Sequence, residues 1–396
     1  MRKVPLAAVA DVIRGVSFSK EEGDTIQSDG KLPVIRAGSI QDSLLLNEGQ
    51  IWVPREKIKA HQKIRRDDIV MCTSSGSSDL VGKCAKSEVD FEGSFGAFCA
   101  GIRPIESKVS ASYLYHFLSS PGFRNWTRSS SGANIKNIRI SELAEFEIPL
   151  PPLTEQKRIA AILDKADAIR RKRQQAIQLA DEFLRSVFLD MFGDPVTNPK
   201  GFPIGTIRDL VESANYGSSA KASEAGGDYP ILRMGNITYE GAIDMTDLKY
   251  IDLTDKEKPK YLAVKGDLLF NRTNSKELVG KTAVYDRDDP VAIAGYLIRV
   301  RTNEKANSHY ISGYLNSAHG KATLQNMCKS IVGMANINAQ EMQDIPIIIP
   351  PVSLQNRYRD IVVSTKEKLA AHQAALNANN ELFNALSQKS FSGKLS

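Results

Sequence analysis

The chain has 396 residues, of which 42% are hydrophobic and 25% charged, and its net charge is +6. This length exceeds what one hydrophobic core usually serves, so at least two domains are expected, and the composition excludes a disordered chain. No apolar run approaches the roughly 18 to 20 residues that span a bilayer, and Asp11 and Arg14 break up the start that a secretory signal would need. We therefore expect a cytoplasmic protein. The small positive charge favours a polyanionic partner only slightly.

The first 150 residues, taken in chain order, alternate short β-rich runs with Gly, Ser and Asp. The runs at 32–35, 68–72 and 98–102 predict strands, and the pattern at 111–118 predicts a helix. This part is therefore expected to be an α+β globular domain. The pair Asp67-Asp68 is typical of a turn before a strand rather than of a metal site.

A long helix is predicted next, over residues 154–191, after Pro151-Pro152. Thr154 is expected to be its N-cap, and no Pro or Gly interrupts it. Its apolar positions step by three and four, which is typical of a coiled coil, with one basic interruption. They are Ile159, Ile162, Ala166, Ile169, Arg173, Ala176, Ala180, Phe183, Val187 and Met191. Unbroken, the helix would extend about 57 Å.

The remainder of the chain repeats this plan. Residues 201–349 again predict a globular domain, and Pro350-Pro351 with Ser353 as N-cap begins a second helix with a weaker apolar seam, over about 353–390. That seam consists of Tyr358, Val362, Leu369, Leu376, Phe383 and Leu386.

An internal duplication is the strongest signal in the sequence. Leu-Val-Gly-Lys occurs at both 80–83 and 278–281, and other matches keep the same order at offsets between 197 and 202 residues. These matches pair 38–40 with 235–237, 68–70 with 267–269, 113–118 with 310–315, 132–135 with 333–337, and 150–156 with 349–355. A colinear series of this kind indicates duplication rather than coincidence.

The duplication predicts four segments: a domain at 1–150, a helix at 151–200, a domain at 201–349 and a helix at 350–396. The fold class is α+β, with two repeated α/β globular domains separated by two long antiparallel coiled-coil helices in a pseudo-two-fold arrangement. Antiparallel helices would hold the two domains apart like a ruler. On DNA, such a ruler would place the domains on two short sequences with an unread gap.

The segment 148–159, Ile-Pro-Leu-Pro-Pro-Leu-Thr-Glu-Gln-Lys-Arg-Ile, followed by Leu-Asp-Lys at 163–165, resembles the central region of Type I restriction-modification specificity subunits. So does Gly-Asp-Leu-Leu at 266–269 leading to Val-Gly-Lys at 279–281. The resemblance covers essentially the whole chain. The second repeat departs from it, because Val-Ser-Leu-Gln at 352–355 lacks the Thr-Glu of the first, so the two helices need not dock partners equally well.

The resemblance implies two target-recognition domains, each reading one half of a bipartite, asymmetric double-stranded DNA site. It also implies that the helices dock methyltransferase (modification) subunits and, through them, restriction subunits. S-adenosylmethionine, ATP and Mg would then be held by those partners, and this chain would carry no cofactor and no catalytic residue in this host-defence system.

Enzyme motifs fit the residues poorly. A P-loop needs G-x-x-x-x-G-K-[ST], but the spacing from Gly76 to Gly82 is one residue too long, and Ser275 stands where the second repeat would need its first glycine. Asn198-Pro199-Lys200 breaks off the Asn-Pro-Pro-aromatic motif of DNA amino-methyltransferases. The histidines show no metal-ligand spacing, and the four cysteines are too far apart for a zinc knuckle. The cysteines, expected to pack as free thiols, are Cys72, Cys84, Cys99 and Cys328.

Candidate DNA contacts come from loops that recur in both halves and carry hydrogen-bond donors, because Arg and Lys read guanine and Asn and Gln read adenine. In the first domain they are Arg36, Thr73, Ser74, Ser75, Ser77, Lys83, Asn134, Lys136 and Asn137. In the second domain they are Arg233, Asn236, Asn271, Arg272, Asn274, Lys281, Asn336 and Asn338. For each of these residues, a role without DNA contact is a strong alternative, because Ser and Asn often form turns and lysines often face solvent.

Two further alternatives stay open. The basic run 170–173 either lies over phosphates of the unread gap or forms a solvated helix face. The whole chain either reads DNA or is a duplicated coiled-coil scaffold whose domains bind protein or RNA. Exchanging residues 201–349 for another such domain separates these two functions, because only a DNA reader would change one half-site.

Overall fold

A computed structural model describes residues 2–77, 79–129, 136–331 and 334–394. It divides the chain into two compact units, unit 1 (residues 1–174 and 374–396) and unit 2 (residues 175–373). The four segments expected from the sequence are consecutive along the chain. The boundaries of the two units instead fall within the two long helices, so each helix contributes residues to both units. Each unit therefore combines one globular domain with parts of two helices.

In unit 1 the strands are β1 Lys3–Pro5, β2 Ala10–Arg14, β3 Lys31–Ile35, β4 Ile51–Pro54, β5 Ile69–Cys72, β6 Ser74–Ser75, β7 Cys84–Lys86, β8 Ser94–Phe95, β9 Cys99–Pro104, β10 Lys136–Asn137 and β11 Glu147–Pro149. The helices are α1 Ala111–Leu118, α2 Pro121–Ser129 and α3 Ile140–Glu145, and α4 Leu153–Phe192 continues into unit 2. The strands expected at 32–35, 68–72 and 98–102 and the helix at 111–118 are confirmed.

In unit 2 the strands are β12 Ile204–Thr206, β13 Val211–Tyr216, β14 Tyr229–Leu232, β15 Lys249–Ile251, β16 Leu262–Ala263, β17 Leu268–Asn271, β18 Thr273–Asn274, β19 Thr282–Val284, β20 Val291–Ile293, β21 Leu297–Thr302, β22 Lys329–Ile331, β23 Met334–Asn336 and β24 Pro346–Ile348. The helices are α5 Lys258–Tyr261, α6 Ser308–Asn316, α7 Ala318–Met327 and α8 Ala339–Gln343, and α9 Val352–Phe391 continues into unit 1.

The two units build equivalent sheets. The order β2-β9-β5-β7 in unit 1 matches β13-β21-β17-β19 in unit 2, and both are antiparallel. A second sheet, β4-β3-β8, matches β15-β14-β20-β16, and each contains one parallel pair, β3 with β8 or β14 with β20. This shared topology confirms the α+β class and the duplication.

A buried ion pair supports the same strand in both units. Asp68, 2% exposed, accepts two hydrogen bonds from Arg103, at 2.8 and 2.7 Å. Asp267 accepts from Arg301 at 2.9 and 3.3 Å. Asp67 takes a positive φ of 69°, in keeping with the turn expected there.

The long helices pack with each other inside each unit. In unit 1 the guanidinium of Arg170 on α4 lies 4.8 Å from the ring centre of Phe383 on α9. In unit 2 Phe192 on α4 packs on Tyr358 of α9, with ring centres 5.4 Å apart. The beginning of one helix thus meets the end of the other, which is the contact pattern of antiparallel helices.

The expected seam of α4 is only partly correct. Ile159 is buried, but Ile169 and Phe183 are 44% and 50% exposed, while Leu163 and Phe188 take core positions. The buried face follows the globular domains as well as the partner helix, and a strict heptad does not describe it.

The N-cap predictions are wrong for both long helices. The helices begin at Leu153 and Val352, one residue before the predicted hydroxyls of Thr154 and Ser353. The backbone N–H of Gln156 donates to the carbonyl of Pro152 at 3.0 Å, so the proline carbonyl accepts the first bond of α4. A proline carries the φ that a helix start requires.

Candidate nucleic-acid interface

The structure gives the double-proline motif a clear physical role. Gln156, buried in the first turn of α4, accepts from the N–H of Ser110 at 2.9 Å and donates to the carbonyl of Pro151 at 2.8 Å. In unit 2 Gln355 accepts from the N–H of Asn307 at 2.9 Å and makes the matching proline bond. Both glutamines fasten a long helix to the loop before α1 or α6, so each helix start is tied to its globular domain.

The candidate interface of unit 2 is a cleft of about 1060 Å³. Four predicted residues line it, although they come from separate parts of the sequence: Arg233, Asn236, Asn274 and Lys281. Lys221, Lys249 and Tyr296 line it too and were missed by sequence reasoning. The fold therefore gathers hydrogen-bond donors of several loops into one concave surface.

Asn236 shapes the loop after β14. It is 3% exposed, its side-chain oxygen accepts from the N–H of Arg233 at 2.8 Å, and its amide donates to the carbonyls of Asp244 and Asp247 at 3.0 and 2.9 Å. The Arg233 guanidinium, partly exposed at the cleft, pairs with the Asp247 carboxylate at 2.8 Å. Asn236 thus positions the loop, while Arg233 presents its charge.

Asn271 and Arg272 stand at the end of β17. Asn271 is fully buried and donates to the carbonyl of Met234 at 3.3 Å, which links β17 to the loop of Arg233. The Arg272 guanidinium lies 4.7 Å from the ring centre of Tyr216, and its Nε is buried without a hydrogen-bond partner among the described residues. The Arg272 guanidinium is therefore held at the Tyr216 ring by a cation–π contact.

Lys281 and Asn274 are half-buried beside the same cleft. Burial lowers the pKa of Lys281, and the carboxylate of Glu240 opposes this shift. The side chain of Asn274 accepts from the N–H of Ser275 at 2.9 Å.

The last two predicted residues of unit 2 differ in role. Asn336 is exposed, and its side-chain oxygen accepts from the Thr273 hydroxyl at 3.1 Å. Asn338 is the N-cap of α8, with its oxygen accepting from the N–H groups of Gln340 and Glu341 at 2.9 Å. Capping occupies the Asn338 oxygen, which is the usual role of this residue type before a helix.

In unit 1 the predicted residues lie on a short ladder beside β5. Thr73 is 4% exposed, and its carbonyl accepts from the N–H of Ile138 at 2.8 Å. Ser74 and Ser75 on β6 pair with Asn137 and Lys136 on β10. Asn137 is exposed. Asn134 lies outside the described residues, as does the side chain of Lys136.

The other predicted residues of unit 1 are more accessible. Arg36 and Ser77 are exposed, and Lys83 is half-buried and donates to the side chain of Gln41 at 3.0 Å. The Arg36 guanidinium forms no ion pair within the described part of the chain. Arg36 therefore differs from its counterpart in unit 2, which has a carboxylate partner.

The basic run on α4 is already engaged inside unit 1. Arg170 and Arg171 both bind the carboxylate of Asp167, at 2.5 and 2.6 Å. Two of its four charges are thus partly satisfied by Asp167, and both interpretations of the run, phosphate contact and solvated helix face, stay predictions.

The cysteines are free thiols, as the sequence predicted, and three of them are buried. Burial raises the pKa of Cys84 to about 11 and that of Cys99 to about 12. Across the described ranges, no group of three or more His, Cys, Asp or Glu side chains is arranged to hold a metal ion. None of the helices described combines the length and the hydropathy of a bilayer-crossing segment.

Comparison with known proteins decides what these paired domains are. The family model for the Type I restriction modification DNA specificity domain matches residues 1–179 and again residues 199–378. The chain belongs to this family. The two matches correspond to the two halves of the internal duplication, so the chain carries two specificity domains.

Individual relatives of the family support the assignment over the full chain. The EcoKI specificity subunit of Escherichia coli (strain K12) is 31% identical over 99% of this chain and 88% of the relative. The StySPI specificity subunit of Salmonella potsdam is 30% identical over the same shares. The crystal structure of the S subunit from M. genitalium has a TM-score of 0.61 at 16% identity, covering 98% of this chain and 96% of that one. The scaffold alternative receives no support from these comparisons.

Proposed function

We propose that this specificity subunit reads a bipartite, asymmetric DNA site, with each globular domain reading one half. The observation that carries the proposal is that polar loops stand beside the same sheets in both units, within a family of DNA specificity domains. Loops that carry different side chains on equivalent sheets can recognise different base sequences.

The exposed and half-buried members of the candidate set are assigned to the DNA. Arg36 and Lys83 in unit 1, and Arg233 and Lys281 in unit 2, have the charge to bind guanine edges or phosphates. Exposed or half-buried side-chain amides can bind adenine edges in the same way. Those amides belong to Asn137, Asn274 and Asn336.

Buried members of the set are assigned a positioning role. Thr73, Asn236 and Asn271 hold loops together through backbone groups, and their side chains have little or no exposed surface. Removing the side-chain amide of Asn236 or Asn271 should disturb recognition by moving the neighbouring loop, not by deleting a DNA contact.

The long helices are assigned to partner docking. On the part of α4 in unit 2, Leu179, Phe183 and Leu189 are 54%, 50% and 50% exposed. Leu179 and Phe183 stand one turn apart on the same face of the helix, and a contiguous exposed apolar patch is typical of a protein interface. The partners we propose are methyltransferase subunits and, through them, restriction subunits, which would hold S-adenosylmethionine, ATP and Mg, while this chain itself is not catalytic. We also propose a cytoplasmic location, because the complex needs access to chromosomal DNA.

The test is modified-base sequencing of DNA from a methylation-free host that expresses the methyltransferase subunit with or without this chain. One bipartite, asymmetric, adenine-methylated motif should appear only when the chain is present. Replacing residues 201–349 by the matching domain of a relative should then change one half-site and leave the other half-site intact. If the methyltransferase binds the chain and no motif appears, the DNA-reading function is wrong.

A further inference from the structure

Both units contain the same tight turn next to the candidate interface. Between β8 and β9, the N–H of Cys99 donates to the carbonyl of Gly96 at 2.8 Å. Between β20 and β21, the N–H of Leu297 donates to the carbonyl of Ala294, also at 2.8 Å. The duplication has therefore kept the conformation of this turn while its sequence changed from Gly-Ala-Phe to Ala-Gly-Tyr.

A close backbone approach holds each turn in place. A Cβ on Gly15 would lie 2.1 Å from the carbonyl oxygen of Gly96, and a Cβ on Gly217 would lie 2.3 Å from that of Ala294. Only glycine permits this approach at either position. The two turns are thus fixed by the sheet beneath them.

Each turn ends on an exposed aromatic ring. Phe98 is 68% exposed and Tyr296 is 51% exposed, although the residues on either side of the turn, such as Phe95 and Ile293, are fully buried. An aromatic ring gains its stabilising effect by leaving water, so neither ring serves its own domain's core. The same kind of residue in the same place in both halves indicates a function at the surface.

The rings stand beside the loops that carry the candidate DNA contacts. The carbonyl of Phe98 accepts from the N–H groups of Thr73 and Ser74 at 2.8 and 3.1 Å, and that of Tyr296 accepts from the N–H of Arg272 at 3.0 Å. Tyr296 also lines the cleft with Arg233.

We propose that Phe98 and Tyr296 contact base pairs in a groove of the DNA, each within the half-site that its own domain reads. The inference rests on the proposed function. Neither ring carries a charge, so neither can bind phosphate through charge as Arg and Lys do. The apolar surface that duplex DNA offers to such a ring lies on its bases, including the thymine methyl group. The two rings therefore determine sequence specificity and leave the salt-dependent affinity to the basic residues.

The variants Phe98→Ala and Tyr296→Ala test this in the full chain bound to its methyltransferase subunit. Phe98→Ala should loosen base preference in one half-site and Tyr296→Ala in the other. Each should weaken binding to the specific duplex roughly tenfold. Affinity for an unrelated duplex and the dependence of binding on salt should stay unchanged, because neither variant removes a positive charge.

Matched controls are Val89→Ala in unit 1 and Val264→Ala in unit 2, which shorten other apolar side chains, 52% and 43% exposed. These controls should leave the motif unchanged, and all four variants should keep the wild-type melting temperature. When Phe98→Ala is combined with a single base-pair change in the DNA, the two losses of binding free energy should be less than additive at the base pair that Phe98 contacts.

Three results would overturn the inference: a wild-type motif in both ring variants, equal losses on specific and unrelated DNA, or additivity at every base pair. Failure of the proposed function is distinguishable from these outcomes. In that case the wild-type complex itself would show no sequence motif.

Discussion

Unit 1 has His116 where unit 2 has Gly313, three residues after the matching tyrosines Tyr113 and Tyr310. His116 is 2% exposed, bonds to Asp164 at 2.7 Å and packs on Phe383. Around Gly313, unit 2 instead has a cavity of about 640 Å³, lined also by Phe188 and Tyr358. Unit 1 thus fills its helix junction with the His116 side chain, whereas in unit 2 the rings of Tyr358 and Phe188 come within 3.0 Å of the place of a Cβ on Gly313, at the edge of the cavity.

At a second position, unit 1 has the glycine and unit 2 has the large side chain. Gly101 on β9 allows the ring of Phe95 to lie against the strand, because a Cβ there would be 2.5 Å from that ring. The counterpart in β21 is Arg299, 2% exposed, which donates to the carbonyl of Pro259 at 3.1 Å and approaches Asp267. Duplicated backbones therefore tolerate very different interiors when neighbouring residues change together.

The largest effect is expected at the shared buried carboxylate. Asp68→Ala and Asp267→Ala should each cost about 3–5 kcal/mol of unfolding free energy, because each removes a buried carboxylate and leaves a largely buried arginine, Arg103 at 15% or Arg299 at 2% exposed, without an anionic partner. Asp267→Ala should cost more, since Arg299 as well as Arg301 lies within 4 Å of that carboxylate, at 3.9 and 2.9 Å. Hydrogen exchange of β5 and β17 in urea measures each unit separately.

The control is Asp288→Ala, which breaks an exposed pair with Lys265 and should change stability by at most about 0.5 kcal/mol. Equal, small effects in all three variants would mean that the buried pair does not support the sheets.

The helix junction should respond next. His116→Ala should destabilise unit 1 by about 2–3 kcal/mol, because it empties a packed position and removes a hydrogen bond. Gly313→Ala should destabilise unit 2 by about 1 kcal/mol: the new Cβ meets the Tyr358 hydroxyl at 2.7 Å, and this crowding outweighs the helix propensity gained.

Gly122→Ala, at a helical glycine with open space around it, serves as the control and should not destabilise. A stabilising Gly313→Ala would show that the cavity absorbs the methyl group. Urea unfolding followed by hydrogen exchange of α1, α2 and α6 measures all three variants.

A smaller effect is expected from Gly101→Ala, which should cost about 1–2 kcal/mol through the clash with Phe95. Gly76→Ala should be close to neutral, because no atom lies within 4 Å of the place that its added methyl group would take. The melting temperatures of the two variants are compared by thermal unfolding. Equal melting temperatures would contradict the explanation that the Phe95 ring needs a glycine at position 101.

The smallest effect concerns pH. Burial lowers the pKa of Lys366 on α9 against the opposing influence of Asp286 and Asp181. The unfolded chain then binds more protons between the folded pKa and the ordinary value of 10.5. Stability of unit 2 should therefore rise with pH across that window. Lys366→Met should reduce this rise to the part contributed by Lys281 and Lys321, whose pKa values burial also lowers. Lys368→Met, at an exposed position, should keep the full rise. The measurement is urea unfolding of unit 2 at a series of pH values.

Sequence patterns were reliable where the information is local or repeated. The strands at 69–72 and 99–104, the helix at 111–118 and the duplication follow from alternation, turn residues and colinear matches. Sequence also selected loops of which several members meet in one cleft, because equivalent loops of a duplicated fold lie beside equivalent sheets.

By itself, then, the sequence determined the number of domains, their α+β class, the two long helices and the family. Only the tertiary structure decided that Asn271 and Asn236 are buried positioning residues, that Phe183 is exposed on its helix, and that Gln156 fastens a helix to a domain. Short-range patterns record which backbone conformations a segment prefers. Burial depends instead on contacts between residues far apart in the chain, and no single segment carries that information.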